Sequence, residues 1–151
     1  MSIRTASVSD IPAIVEMCRA CHDESPVFSY LSFSGEKVAA TMNMLITEPC
    51  GAVFIAEKNG QIIGFSAVCI SSHWSSDDPI AEEEMIYIRQ EHRGGFAIAR
   101  LIAAMNVWAE INGAKYLFSG CITGIEPEKV GRLYERMGFT PFAVGLQVKY
   151  R

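Results

Sequence analysis

Met85-Ile86-Tyr87-Ile88-Arg89-Gln90-Glu91-His92-Arg93-Gly94-Gly95-Phe96-Ala97-Ile98-Ala99-Arg100-Leu101-Ile102 changes its period halfway along. Met85 to Ile88 is an apolar run of strand length. After a charged turn and two glycines, Ile98, Leu101, Ile102, Met105 and Trp108 recur at a spacing near 3.6, the period of a helix with one buried face. A strand, a glycine pair and a helix start together form a place where an anion can sit. The first N–H groups of a helix have no internal partner, and the aligned peptide dipoles add partial positive charge there. Gly94 and Gly95 permit a sharp turn and close approach of a phosphate to the backbone. The stretch is therefore expected to hold a phosphate or pyrophosphate by main-chain donors, with the Arg93 side chain in reserve. A Gly-Gly pair between a strand and a helix also serves as a plain tight turn, and spacing alone does not separate the two.

Upstream, Glu82, Glu83 and Glu84 open the same strand, and their side chains should alternate between its faces. Simple alternation puts Glu82 and Glu84 on the face of Ile86 and Ile88. A carboxylate here could take a proton from an ammonium group, or merely attract cations as a solvated strand end. Further upstream, Ala52–Lys58 and Gln61–Val68 are β-rich runs joined by Asn59-Gly60, a strong signal for a type I′ hairpin turn. Residues 71–79 are polar and carry Trp74, suited to a substrate mouth or to covering a sheet edge. The chain opens with a strand over 2–7 and a helix capped by Ser9 or Asp10, with Pro12 in its first turn, running to about Asp23. A second helix starts at Ser34-Gly35-Glu36 and stops before Pro49. Downstream, the glycine-led helix runs to about Asn112, 116–121 reads as a buried strand, and a last helix runs from Pro127 to Met137 with Gly138 ending it. Residues 139–150 read as two closing strands broken near Gly145.

The 151 residues are half hydrophobic and carry a formal net charge of −4, which suits one domain, 1–151, with a real core. That charge argues against a nucleic-acid binder, which needs a basic face. No run reaches the length of a membrane span, and the N-terminus lacks a signal-peptide core, so a cytoplasmic protein without membrane association is expected. Five scattered cysteines fit free thiols in a reducing compartment. Cys18-Arg19-Ala20-Cys21-His22 spells the haem-attachment pattern, but its residues continue the helical series Ile11, Ile14, Val15, Cys18, Cys21. They read as small core side chains, and no haem or metal site is expected.

The opening stretch resembles motif A of the GNAT N-acetyltransferase superfamily. Ile86 and Ile88 stand at its apolar strand pair, and His92-x-x-Gly95-x-Ala97 at its Q/R-x-x-G-x-G/A turn, with His in place of Gln or Arg. The His92-Arg93-Gly94-Gly95 run is similar to a branch common in phage and bacterial genomes. Arg132-Leu133-Tyr134-Glu135-Arg136-Met137-Gly138-Phe139 resembles motif B, with Pro127 and Val130 departing from its Asn and Ala. The element order β-α-α-β-β-β-α-β-α-β-β is also the GNAT order. The resemblance implies an α/β (α+β) GNAT fold. Its mixed sheet would have about seven strands, splayed between the motif A strand and the next, with about four flanking helices. It further implies acetyl-CoA as donor, held by Ile86, Tyr87, Ile88, Arg93, Gly94, Gly95, Phe96, Ala97 and Ile98, with the Ile88 amide polarising the thioester. Tyr134 falls on the family's general-acid position, and Glu84, ahead of Glu83, is the expected general base. The expected acceptor is a primary amine on a small molecule or a protein lysine, approached from the two N-terminal helices, where His22, Asp23 and Glu24 either contact it or, the reading favoured, form a solvated helix end. A homodimer is implied by resemblance alone. N-terminal alanine acetyltransferases of the superfamily tend to carry a Glu on the strand that here reads Leu117-Phe118-Ser119-Gly120-Cys121, which disfavours that substrate. Two other readings stand beside the active enzyme. One is a GNAT-fold protein that binds CoA without turnover, kept open by Pro127 and Val130 and, where the turn is read from Arg93 so that Phe96 and Ile98 fall on its small positions, by Phe96. The other is an acetylator of aminoacyl-tRNA, disfavoured by the net charge.

Overall fold

In the computed structural model, which describes residues 1–150, five strands form one sheet in the order β1-β2-β3-β4-β5. They are β1 (Ser2–Thr5), β2 (Gly51–Lys58), β3 (Gln61–Ser72), β4 (Pro79–Ile88) and β5 (Leu117–Phe118). The first four pair antiparallel; β5 joins β4 in parallel. The β2–β3 hairpin turns at Asn59 (φ 52°) and Gly60 (φ 75°), the left-handed pair that a type I′ turn requires. Strand alternation then fixes two cores. Val53, Ile55, Phe65 and Ala67 face α1 (Ile11–Glu24) and α2 (Gly35–Thr47). Ala52, Phe54, Ala56 and Val68 face α3 (Ala97–Ile111), whose Leu101, Ile102 and Met105 are fully buried, and α4 (Pro127–Arg136), which adds Tyr134. Cys18 and Cys21 belong to the first core, where burial pushes their thiols up to about 12 and about 11. No helix among the described residues is long and apolar enough to cross a membrane.

The mixed α/β architecture with four helices matches the expectation, but the sheet has five strands rather than about seven. Residues 139–150 form no strand. Their apolar side chains alternate as a strand's should, yet no neighbouring strand among the described residues offers main-chain partners, and without a ladder an extended segment is not a sheet member. β5 is also short, because its parallel register with β4 covers only Ala81↔Leu117 and Glu82↔Phe118. Beyond Glu82 the two strands part, and the main chain of β4 from Glu83 to Ile88 has no strand on that side.

Candidate active site

A cleft of about 960 Å³ opens where β4 and β5 part. Its floor is Glu83 to Ile88, one wall is the turn from His92 to Ala99, and the other is Phe118 to Thr123 with the inner face of α4. A short 3-10 turn, Gln90–His92, leads from β4 into Arg93 and Gly94. Gly94 has φ +85°, where a side chain would strain the backbone. Gly95 does not, and a Cβ built there would meet nothing within 4 Å. The first helical bond of α3 is donated by Arg100 to the Phe96 carbonyl at 3.0 Å, so among the described residues the N–H groups from Gly94 to Ala99 have no main-chain acceptor. Free donors, open space beside Gly95 and a helix dipole behind them fit a pyrophosphate. Ala97 is buried under the turn, Ile98 is half-buried and Phe96 is exposed at the cleft rim. Ile86 and Ile88 point toward α3, while Tyr87 points to the α1 side. The unpaired β4 edge fits a ligand with amide groups that can extend the sheet.

Arg93 is engaged elsewhere. Its guanidinium makes a two-pronged ion pair with Glu24 at the end of α1, one contact at 2.8 Å, and its Nε donates to the Ile88 carbonyl at 3.0 Å. Tyr87 donates to the same carboxylate at 3.3 Å. Arg93, first of the charge-assisted bonds around it, holds the Glu24 carboxyl below its ordinary value. The arginine therefore ties the first helix to the glycine turn, and Glu24 is not free at a helix end.

The three consecutive glutamates do not follow simple alternation. Ala67 pairs with Met85 and Val68 with Glu83, which leaves Glu84 as the extra residue of a β-bulge. The bulge shifts the faces by one. Glu83, opposite the α3-side Val68, shares the face of Ile86 and Ile88; the assignment of that face to Glu82 and Glu84 is corrected. Glu84 instead accepts from the Cys69 thiol at 3.0 Å, and Glu82 from the Ser71 hydroxyl at 3.2 Å.

Glu83 meets Tyr134. The buried phenol of α4 donates a hydrogen bond to Glu83 Oε2. Burial raises the Glu83 carboxyl above its ordinary value of 4.5, and the bond from Tyr134 opposes that rise only in part. Burial and then the Glu83 charge push the phenol well above its usual range, so it stays protonated. Phe139 packs edge-on against the Tyr134 ring, centroids 5.0 Å apart, and fixes its orientation. Ser119 Oγ, at the end of β5, is buried and has no hydrogen-bond partner. Tyr134, implied as a site residue by the resemblance, does not itself line the cleft; its hydroxyl reaches Glu83, which does, and a bulge within Glu82-Glu83-Glu84 leaves no sequence mark from which that partner could be found.

The profile of the acetyltransferase (GNAT) domain matches residues 49–141, more than half of the chain. The chain belongs to the GNAT acetyltransferase family. Comparison with curated proteins gives no match. Among solved structures, the GNAT chain is similar to AAC(6′)-Iy in complex with the bisubstrate analogue CoA-S-monomethyl-acetylneamine, with TM-score 0.77, 18% identity, and 99% and 97% of the two chains covered. It is also similar to the aminoglycoside 6′-N-acetyltransferase AAC(6′)-IG of Acinetobacter haemolyticus, with TM-score 0.74, 17% identity, and 100% and 99% covered. A third is the ribosomal-protein-alanine N-acetyltransferase of Brucella melitensis biovar Abortus 2308, with TM-score 0.70, 15% identity, and 99% and 100% covered. At these identities the likeness establishes the GNAT fold and no more.

Proposed function

We propose that this GNAT protein transfers the acetyl group of acetyl-CoA to a primary amine, of a small molecule or a protein lysine, by direct attack. The observation that carries the reading is the pairing of buried Tyr134 with half-buried Glu83 at the point where β4 and β5 part. In this reading the free amides from Gly94 to Ile98 hold the pyrophosphate, and the unpaired β4 edge at Ile86, Tyr87 and Ile88 takes the pantetheine arm. Acetyl-CoA supplies an activated acyl carbon and a thiolate leaving group. The Ile88 N–H polarises the thioester carbonyl. The amine nitrogen bonds to the acyl carbon, and the C–S bond breaks. Glu83 takes one proton from that nitrogen, directly or through water, and Tyr134 gives its phenolic proton to the departing sulfur. The hydrogen bond between them returns the first proton to the phenol, so the pair ends as it began.

Glu83 takes the base role in preference to Glu84 because the bulge turns Glu83 toward Tyr134 and Glu84 toward Cys69. Glu82 and Glu84 remain exposed at the cleft and favour a cationic acceptor. The His92-Arg93-Gly94-Gly95 run keeps the likeness to the phage and bacterial branch within the proposal, and the free cysteines keep a cytoplasmic setting within it. The test is thiol release from acetyl-CoA by the purified protein against a panel of polyamines, aminoglycosides and lysine peptides. Amine-dependent release supports the proposal. Tight acetyl-CoA binding with no release for any amine would leave the non-catalytic, CoA-binding reading in its place.

A further inference from the structure

The last register pair between the parallel strands β4 and β5 is Glu82↔Phe118. One residue on, Glu83 and Ser119 stand opposite each other where the strands begin to part, and Ser119 lines the cleft beside Glu83. Ser119 as a residue is half-buried, yet its Oγ is fully buried and has no hydrogen-bond partner. A buried hydroxyl in that state has lost its water and gained nothing in return. Such a group in a folded protein calls for a cause, and a ligand that supplies the missing bond is one. Among the described residues the other case is Ser66, which lies inside the sheet between Phe54 and Ile86 and does not line the cleft. Ser119 is also close to the Tyr134–Glu83 pair. Burial raises the Glu83 carboxyl, the bond from Tyr134 opposes the rise, and the Ser119 hydroxyl opposes it further. Burial and the Glu83 charge raise the Tyr134 phenol, and Ser119 again pulls the other way. The hydroxyl thus stands beside both groups and completes a bond with neither.

We infer that Ser119 is a further catalytic residue, whose hydroxyl accepts a proton from the attacking amine and passes its own to Glu83. This role rests on the acetyl-transfer reading and replaces the direct or water-borne path from the amine to Glu83. Tyr134 already holds Glu83 Oε2, so the hydroxyl gives the nitrogen a second way to the same carboxylate. A serine hydroxyl suits the task because it has one donor and two acceptor sites. Cys121 also lines the cleft, but a thiol is a weak donor and a weak acceptor. The protons balance. An N–H bond of the amine breaks as a new Oγ–H bond forms on Ser119. The original Oγ–H bond breaks as its proton bonds to the Glu83 carboxylate. Ser119 ends unchanged and Glu83 carries the proton, from which the Tyr134 phenol is restored after it has protonated the departing sulfur. The empty bond at Ser119 is then the place kept for the amine.

Ser119→Ala and Ser119→Thr separate this role from packing. The assays are thermal melts of the purified full chain and thiol release from acetyl-CoA with spermidine, kanamycin and an N-blocked lysine peptide as acceptors. In the free protein the oxygen removed by Ser119→Ala has no partner, so Tm should not fall. Its kcat should drop by about 10²-fold or more, with little change in KM for acetyl-CoA. The acid limb of its rate–pH profile should persist and move to higher pH, because the hydroxyl no longer eases the ionisation of Glu83. Ser119→Thr keeps the hydroxyl and should recover most of the parental kcat. A Ser119→Ala protein with parental kcat overturns the relay while leaving acetyl transfer standing, and so does a Ser119→Thr protein as slow as Ser119→Ala. A parent that releases no thiol with any of the three amines removes the acetyl-transfer reading and the relay with it.

Discussion

Tyr134→Phe keeps the ring and its edge-on contact with Phe139 and removes one oxygen. Two separate effects should follow. The first is chemical. Without the phenol the proton donor to the departing sulfur is lost, and kcat should fall by about 10²–10⁴-fold, the usual contribution of a general acid. KM for acetyl-CoA should change little, because the hydroxyl acts mainly in the transition state. The second effect is on stability. The hydroxyl is the hydrogen-bond donor to a half-buried carboxylate. Leaving such a group without its donor costs about 1–3 kcal/mol. For a chain of this length each kcal/mol lowers Tm by roughly 2–4 °C, so a drop of roughly 2–12 °C is expected.

The pH dependence has a definite sign. Burial raises Glu83 above its ordinary 4.5 in the folded chain, so its contribution is fully present below pH 4.5 and is lost as pH rises through the folded value. Tyr134 restrains that loss by stabilising the ionised carboxylate. The melting difference between parent and Tyr134→Phe should therefore widen as pH rises above 4.5. The assays are thiol release with the true acceptor and thermal melts across the acid range. Near-parental kcat in a folded Tyr134→Phe protein would refute the acid role. An unchanged Tm at neutral pH would refute the buried hydrogen bond.

Glu83→Gln should lower kcat by about 10²–10⁴-fold and remove the acidic limb of the rate–pH profile, which in the parent falls as pH drops through the raised Glu83 value; Glu84→Gln should stay within a few-fold of the parent, and the reverse ranking would return the base role to Glu84. Gly95→Val should weaken acetyl-CoA binding in calorimetric titration by at least tenfold while Tm changes little, because a Cβ there has no protein atom within 4 Å and the side chain enters the space beside the free amides; undiminished binding would show that the phosphates lie elsewhere. Glu24→Gln should destabilise by about 1 kcal/mol in urea unfolding, as expected for a partly exposed ion pair. Its parent's Glu24 value is depressed, so the contribution is present above the ordinary 4.5 and disappears as pH falls through the lower folded value, and a difference that grows in acid would contradict the assignment.

The fold was legible because its signals are local. Asn59-Gly60 requires a left-handed turn, the change of period at Gly94-Gly95 marks strand passing to helix, and Gly138 (φ +95°) ends α4. The site was legible only as single candidate residues, Gly95 beside open space and Tyr134 against Glu83, whose roles are proposals. It was not legible where position depends on a partner far along the chain. Glu83 faces Tyr134 because Glu84 bulges out of register with β3, a pairing 15 or more residues away that no spacing encodes. Arg93 resembles a phosphate ligand in sequence, and only the approach of α1 reveals that Glu24 holds it. The closing strands failed for a related reason. Alternation at 142–150 is genuine strand chemistry, but a strand exists only when another supplies its ladder.

The central claim is that the cleft between β4 and β5 moves an acetyl group onto a nitrogen. The most direct measurement is mass spectrometry of the products after incubation with acetyl-CoA labelled with carbon-13 in the acetyl group and a panel of primary amines. One labelled N-acetyl amide is expected for each CoA released, at a rate that Tyr134→Phe and Glu83→Gln both reduce by about 10²-fold or more. CoA released without a labelled amide, or labelled amide formed equally well by both variants, would contradict it.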